Sequence, residues 1–422
     1  MRASCHASRA IDHRRRRRGA VAALARRGGE PDVTFALLAL ICLAGIAGPL
    51  LAVSRRWGLP VVVGELAVGI ALGPMGAGAV DATEPTFAFM ATIGFALVMF
   101  VTGSHVPVAD ARLRQALPGG LLRAVVVGVA SVPLAMLLAD VFDTGHAALY
   151  AVLLASSSAA LILPIVDALH LTGGSVLRLL PQVAIADTAC IVAVPLAIEP
   201  AHAGRAALGA VVVVACAGVL FLALRAAERR GWRVALHRLS DRRKFALELR
   251  ISLAALFGLA AVAQASAVSV MLAGFACGLA VAAVGEPRRL ARQLFAITEG
   301  FFGPLFFIWL GASLDLHALA HRPALIGLGL ALGVGAVLTH LVPRAFGQPV
   351  AMGGLAAAQL GVPVGAAALG TQLHLLTDGE PAALLLGALV TIAVAAAAAG
   401  HAGHVQAGAV GPDGSVAGSP SA

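Results

Sequence analysis

Charge is what this sequence lacks most. Only 12% of its 422 residues are Asp, Glu, Lys or Arg, about half the share of an ordinary soluble domain. Lysine occurs once, at Lys244, and tyrosine once. With 59% hydrophobic residues and a mean hydropathy of +0.92, this poverty of charge excludes a soluble globular domain and points to an all-α polytopic membrane protein. Cysteine is also sparse. Cys5, Cys42, Cys190, Cys216 and Cys277 are scattered, most of them in apolar runs, which excludes a disulfide framework and a metal cluster. No HExxH, GxSxG or phosphate-binding loop stands in a plausible context, so neither an enzyme nor a cofactor is expected. The net charge of +9 does not indicate nucleic-acid binding. Nine of the 30 basic residues precede residue 28, and most others flank apolar runs, where they set topology.

What the chain does have is a succession of long apolar runs. Thirteen are expected to span the bilayer, at about 34–54, 60–79, 86–106, 117–139, 146–168, 179–198, 206–224, 246–264, 267–284, 299–313, 323–342, 350–373 and 381–400. Residues 1–32 read as a disordered basic segment, dispensable for insertion. Residues 33–400 read as the transmembrane domain, and 401–422 as a disordered Gly/Ser-rich tail. Odd-numbered connections carry nearly all the interior arginines, whereas the even-numbered ones carry only Arg205 and Arg322. This asymmetry places the N-terminus outside, the C-terminus in the cytoplasm and the basic connection 225–245 inside. The arginine run at residues 14–18 then lies on the wrong side, which sets segment 1–32 apart. Gly329 and Gly333 are expected to let neighbouring helix backbones approach closely.

Within span six, Asp187 is a carboxylate near the middle of an apolar run about 30 Å long. Its four neighbours on each side carry no Lys, Arg or His. An ionisable group at that depth costs on the order of 2.5–3.5 kcal/mol. Asp187 therefore must face a cavity or a partner on another helix. A buried acid held only for packing is the bland alternative; acids at this depth more often mark ion or proton pathways. Six spans precede span seven and six follow it, suggesting two six-helix repeats of opposite topology. The fifth span of each half is interrupted, by Ser156, Ser157 and Ser158 in the first, and by Gln359, Leu360, Gly361, Val362 and Pro363 in the second. Paired discontinuous helices at matching positions are a pointer to a transporter's binding site. Oxygen ligands suit hard cations, so the Ser156–Ser158 hydroxyls and the carbonyls freed at both breaks are candidates to complete a cation shell around Asp187.

Several stretches, taken in order, resemble the monovalent cation:proton antiporter-2 family, whose branch includes sodium/hydrogen exchangers and Kef-type potassium efflux systems. GLPVVVGELAVGIALGP (58–74) resembles its opening motif and LLASSSAALILPIVDALHL (153–171) its broken helix. AIADTACIVAVPLA (184–197) is similar to the segment bearing the transport aspartate, whose place Asp187 takes. LAGFACGL (272–279) and GPLFFIWLGASLDL (303–316) resemble two later signatures. The resemblance implies a sodium/proton antiporter fold with two discontinuous crossing helices. It also implies exchange of Na+ or K+ for H+ across the cytoplasmic membrane by alternating access, and a homodimer in the lipid bilayer. The sequence departs from the family pattern at Ala186, where Asp, Asn or Gln is usual. It departs again at Leu360 and Val362 in the second broken helix, and at His340, which stands where a cavity lysine is common. His340 is then a candidate pH-sensitive partner or a plain hydrogen-bonded histidine. With one carboxylate and no lysine, exchange at Asp187 is expected to be electroneutral. The competing expectations are a transport-deficient sensor or subunit with the same fold, and a Kef-like cation channel.

Overall fold

The computed structural model describes residues 34–52, 61–104, 111–169, 171, 173–198, 203–231, 247–266, 268–285, 288–314 and 316–409. The expected disorder of residues 1–32 and of the tail beyond residue 409 lies outside the described residues, as does most of the basic connection 225–245. The described residues form helices and no strand. The first half contains α1 (Phe35–Gly45), α2 (Ala47–Ala52), α3 (Val61–Leu72), α4 (Pro85–Ser104), α5 (Ala111–Val141), α6 (Ala147–Ala155), α7 (Ala159–Ala168) and α8 (Gly174–Ile198). The middle helix α9 (Ala203–Arg229) leads to α10 (Leu247–Ala265), α11 (Val270–Val284), α12 (Arg288–Ile297), α13 (Gly303–Ser313) and a short α14 (Leu316–His321). The chain closes with α15 (Pro323–Leu341), α16 (Val350–Ala356), α17 (Gly361–Leu373) and α18 (Glu380–Ala409).

Nine of the described helices or helix pairs are long and apolar enough to cross a membrane, and four shorter apolar helices stand at expected spans one, two, five and nine. Large apolar side chains project outward from α5 (Leu121, Leu122, Val125, Val129, Met136) and α9 (Leu208, Val211, Val219, Leu222). In water such faces would be sticky; against acyl chains they cost nothing, because lipid tails are as apolar as leucine.

The packing sorts the helices into two bundles. In one, α4 lies along α11 and α3 along α13, with α9 and α10 against α11. In the other, α5 packs on α6 and α8, while α15, α16 and α17 all pack on α18. Expected spans one to three thus join eight to ten, and spans four to six join eleven to thirteen. Equivalent three-span sets of the two halves pair with each other, the arrangement a repeated architecture produces. Small residues make the contacts tight. A Cβ on Gly333 would sit 2.7 Å from the Gly387 carbonyl, and one on Gly329 would sit 2.7 Å from that of Ala383. The close approach expected at this pair is therefore present, and it seats α15 on α18.

Several boundaries differ from expectation. Helix α3 stops at Leu72 and the chain turns before α4, because Gly73, Pro74, Gly76 and Gly78 (φ +62°) follow. Span ten is not a plain helix: a π-helical turn, Thr298–Phe302, joins α12 to α13. Helix α18 runs to Ala409, past the expected end at residue 400 and into the expected tail, since its Ala-rich sequence holds no proline before Pro412. The second interruption lies at residues 357–360 rather than at 359–363. Val362 and Pro363 belong to the first turn of α17, where a proline's missing N–H has no helical partner to lose.

Candidate functional site: the crossing of two broken helices

The site lies where the two interruptions meet. Helix α6 ends at Ala155, its C-cap Ser156 is extended (φ −75°, ψ 152°), and α7 begins three residues later. The break is held by partners for several of the groups it frees. The Ser156 hydroxyl folds back to donate to the Leu153 carbonyl at 2.9 Å. The Ser157 hydroxyl donates to the Ala356 carbonyl at the end of α16, 2.6 Å away. The Gln359 side chain donates from Nε2 to the carbonyls of Leu153 (2.6 Å) and Ser156 (3.1 Å). Thr339 on α15 donates to the Leu154 carbonyl at 3.0 Å. The two breaks therefore tie each other together directly.

Asp187 sits on α8 beside the start of α7, 1% exposed. Its Oδ2 accepts the Ala159 N–H at 2.9 Å. This is the partner on another helix that its isolation within span six requires. The donor is a first-turn amide of α7, so the carboxylate also lies at the positive end of that helix's dipole. Its Oδ1 is buried with no hydrogen-bond partner. A buried polar atom left unmatched costs about 1–3 kcal/mol, so the site holds an unused acceptor. Ser158 is buried beside Ala159, and its carbonyl accepts from Leu161 and Ile162. None of the three serine hydroxyls bonds Asp187 among the described contacts, because Ser156 and Ser157 spend theirs on carbonyls. Both lie at the crossing all the same, as do Gln359 and Gly361.

His340 is buried on α15 at 1% exposure. Its Nδ1 lies 2.8 Å from the Ala336 carbonyl, which only accepts, so Nδ1 carries a proton. Its Nε2 lies 3.3 Å from the Ser157 hydroxyl, whose own proton points at Ala356. The sequence position of His340 thus does bring it to the first break. Thr339 and Thr391 were not singled out in the sequence. Thr391 on α18 accepts the Gln359 N–H at 3.2 Å; the available signal was a lone hydroxyl in an otherwise apolar span. Glu65, inside the 58–74 motif, is 3% exposed on α3, packed where a Cβ on Gly48 would meet its Cγ at 2.9 Å. It is remote from the crossing in the fold, on the other bundle.

A cavity of about 510 Å3 opens between the bundles, lined by Thr92, Phe95, Pro195, Ile198, Arg205 and Gln264 among others. It reaches α8 at Pro195, eight residues and about 12 Å along the helix from Asp187. The carboxylate is thus closed off from it. Among the described residues no three His, Cys, Asp or Glu side chains gather as a metal site.

The sodium/hydrogen exchanger transmembrane family matches residues 37–405. The chain belongs to that family. Similar relatives include the putative Na(+)/H(+) antiporter YjbQ of Bacillus subtilis, 22% identical over 85% of this chain and 61% of the relative. The chain therefore spans less than two thirds of that relative's length. The Na(+)/H(+)-K(+) antiporter GerN of Bacillus cereus is 25% identical over 74% of this chain and 79% of its own. In structure this exchanger-family chain is similar to the sodium proton antiporter MjNhaP1 of Methanocaldococcus jannaschii, with a TM-score of 0.59 and 14% identity. That similarity covers 87% of this chain and 97% of the other, and at that identity it establishes the shared fold. The protein is a multi-pass membrane protein of the monovalent cation:proton antiporter group, as the ordered motifs implied.

Proposed function

We propose that this chain is a secondary transporter that exchanges a monovalent cation, Na+ or K+, for H+ at Asp187. The observation that carries this reading is the unpartnered, buried Oδ1 of Asp187 beside the N-terminus of α7. A carboxylate with one oxygen held by a backbone amide and one oxygen free accepts either a proton or a dehydrated cation. The two compete for the same lone pairs, and competition at one site is sufficient for antiport. The Ala159 amide fixes the carboxylate's position in both states, so neither ligand has to orient it. Freed carbonyls at the crossing are the oxygen ligands within the same region, suited to a hard cation.

The exchange is one for one. The Nδ1 proton of His340 is committed to Ala336, and Ser157 has no proton left to offer Nε2. A second ring proton would place a full charge at a buried site, which costs several kcal/mol, against about 1–3 kcal/mol for an unmatched nitrogen. His340 therefore holds one proton throughout the cycle. The bundle of α5–α8 and α15–α18 moves against the other bundle to expose Asp187 alternately to each side, and two copies pair in the cytoplasmic membrane. The N-terminus lies outside and residue 240 inside; labelling of Ser240→Cys from outside intact cells is expected to fail.

Cation-dependent proton flux in proteoliposomes, with Na+, K+ and Li+ tested separately, checks the reading. Coupled flux with at least one cation, insensitive to an imposed membrane potential, is the expected result. Cation flux without proton movement would mark a channel, and no flux at all a sensor that kept the fold.

A further inference from the structure

A second constellation stands at the opposite end of α6 from the crossing. Glu380, the first residue of α18, is fully buried. One of its oxygens receives the Tyr150 hydroxyl at 2.8 Å and lies 2.7 Å from His146 Nδ1. The other receives the Thr377 N–H and hydroxyl at 3.0 and 3.1 Å. His146 is the residue before α6, and its side chain is 19% exposed, so it is the member that solvent protons reach.

These contacts close a ring. From His146, α6 runs to the first break at Ser156. There Gln359 grips the Leu153 and Ser156 carbonyls. The Gln359 N–H is held by Thr391, and α18 returns from Thr391 to Glu380, three turns away. The first break is thus anchored at one end by an amide and at the other by an imidazole and a carboxylate.

We propose that His146 and Glu380 form a proton-sensitive clasp that positions the helix crossing, so that pH on the His146 face sets the exchange rate separately from competition at Asp187. Both are positioning residues, since neither touches Asp187. The bond to the Glu380 carboxylate raises the His146 pKa above the ordinary 6.5, outweighing partial burial, which lowers it. The sign follows from that direction. The clasp is charged and strongest below pH 6.5, and as pH rises through the raised value it weakens to a neutral imidazole–carboxylate hydrogen bond at Nδ1. Other ionisable groups at this end are Asp140 and Asp143 before α6, His374 and Asp378 before α18, and His317, His321 and Arg322 around α14. Among the described residues none of them pairs with His146.

The proposal rests on the exchange reading for its assay. Proteoliposomes with the pH of each face set independently, at saturating cation so that competition is removed, provide the test. The wild type is expected to show a fall in rate as pH on one face rises through a point above 6.5. His146→Gln, which offers Glu380 only a neutral hydrogen bond, is expected to hold one rate across this pH range, near that of the wild type at high pH, and so to lose that inflection. Glu380→Gln is expected to move the inflection down by about one pH unit, the usual effect of removing an adjacent opposite charge. A wild type with no face-specific inflection would overturn the clasp, as would an inflection unchanged in either variant. Exchange that survives Asp187→Asn would instead overturn the site assignment, so the two failures are separable.

Discussion

The two broken helices share a design and differ in chemistry. In the first, the amide freed at the start of α7, Ala159 N–H, points at the carboxylate of Asp187. In the second, the amide freed in the gap, Gln359 N–H, points at the hydroxyl of Thr391. One break meets an ionisable acceptor from its neighbouring helix and the other a neutral one. The second break contributes an amide side chain that clamps the first. A repeated architecture needs only one titrating group to bind one proton or one cation. The other half is free to become the brace. This explains how Ala186, Leu360 and Val362 can be apolar where the family is often polar: the carbonyl-satisfying work at the crossing falls to Gln359, Ser157 and Thr339 instead.

The sharpest way to break this comparison is to remove the acceptor on each side. Asp187→Asn keeps a carbonyl oxygen for Ala159 and loses the charge, so coupled flux should drop to that of empty vesicles while the melting temperature stays near wild type. Thr391→Val removes the neutral acceptor and leaves the Gln359 N–H unmatched, at a cost of about 1–3 kcal/mol. It should lower thermal stability and leave the proposed one-to-one coupling intact. If Thr391→Val uncoupled exchange, the brace would be part of the binding site.

Gln359→Leu probes the clamp itself. The Leu153 carbonyl keeps the Ser156 N–H and hydroxyl, but the Ser156 carbonyl loses the one donor described for it. A loss of about 1–3 kcal/mol is expected, with a slower but still coupled exchange. Ser157→Ala removes one bond, to the Ala356 carbonyl, and should cost about 1 kcal/mol. Ser156→Ala should cost less than about 0.5 kcal/mol, because its hydroxyl bonds a carbonyl that has other donors. Thermal melts of the solubilised variants rank these three, and equal losses for Ser156→Ala and Ser157→Ala would contradict the assignment of the bridging hydroxyl.

Much of this was legible in the sequence for a physical reason. An acid in an apolar run, a triple serine and a Gln-Leu-Gly-Val-Pro stretch are all local violations of helix or membrane chemistry, and each falls at the crossing. The second break was placed two to three residues late because Gly361, Val362 and Pro363 were read as part of the gap, whereas a proline is compatible with the first turn of the helix that follows. The bundle arrangement was half legible: the repeats could be counted, but which helices pack together depends on glycine contacts spread over the chain. The His146–Glu380 pair was invisible, since its partners are 234 residues apart and neither breaks a local rule. The chain's single tyrosine, Tyr150, was the one compositional hint beside it. The π-helical turn at Thr298–Phe302 had no signature either, because inserting one residue into a helix leaves composition unchanged.

The most direct test of the account is proton release on cation binding by the purified protein in weakly buffered detergent solution. Adding the transported cation to the wild type should release protons in proportion to the cation bound, approaching one for one when Asp187 begins protonated. The same addition to Asp187→Asn should release none. Equal proton release from the two proteins would contradict competition at Asp187, and with it the account of the crossing as the exchange site.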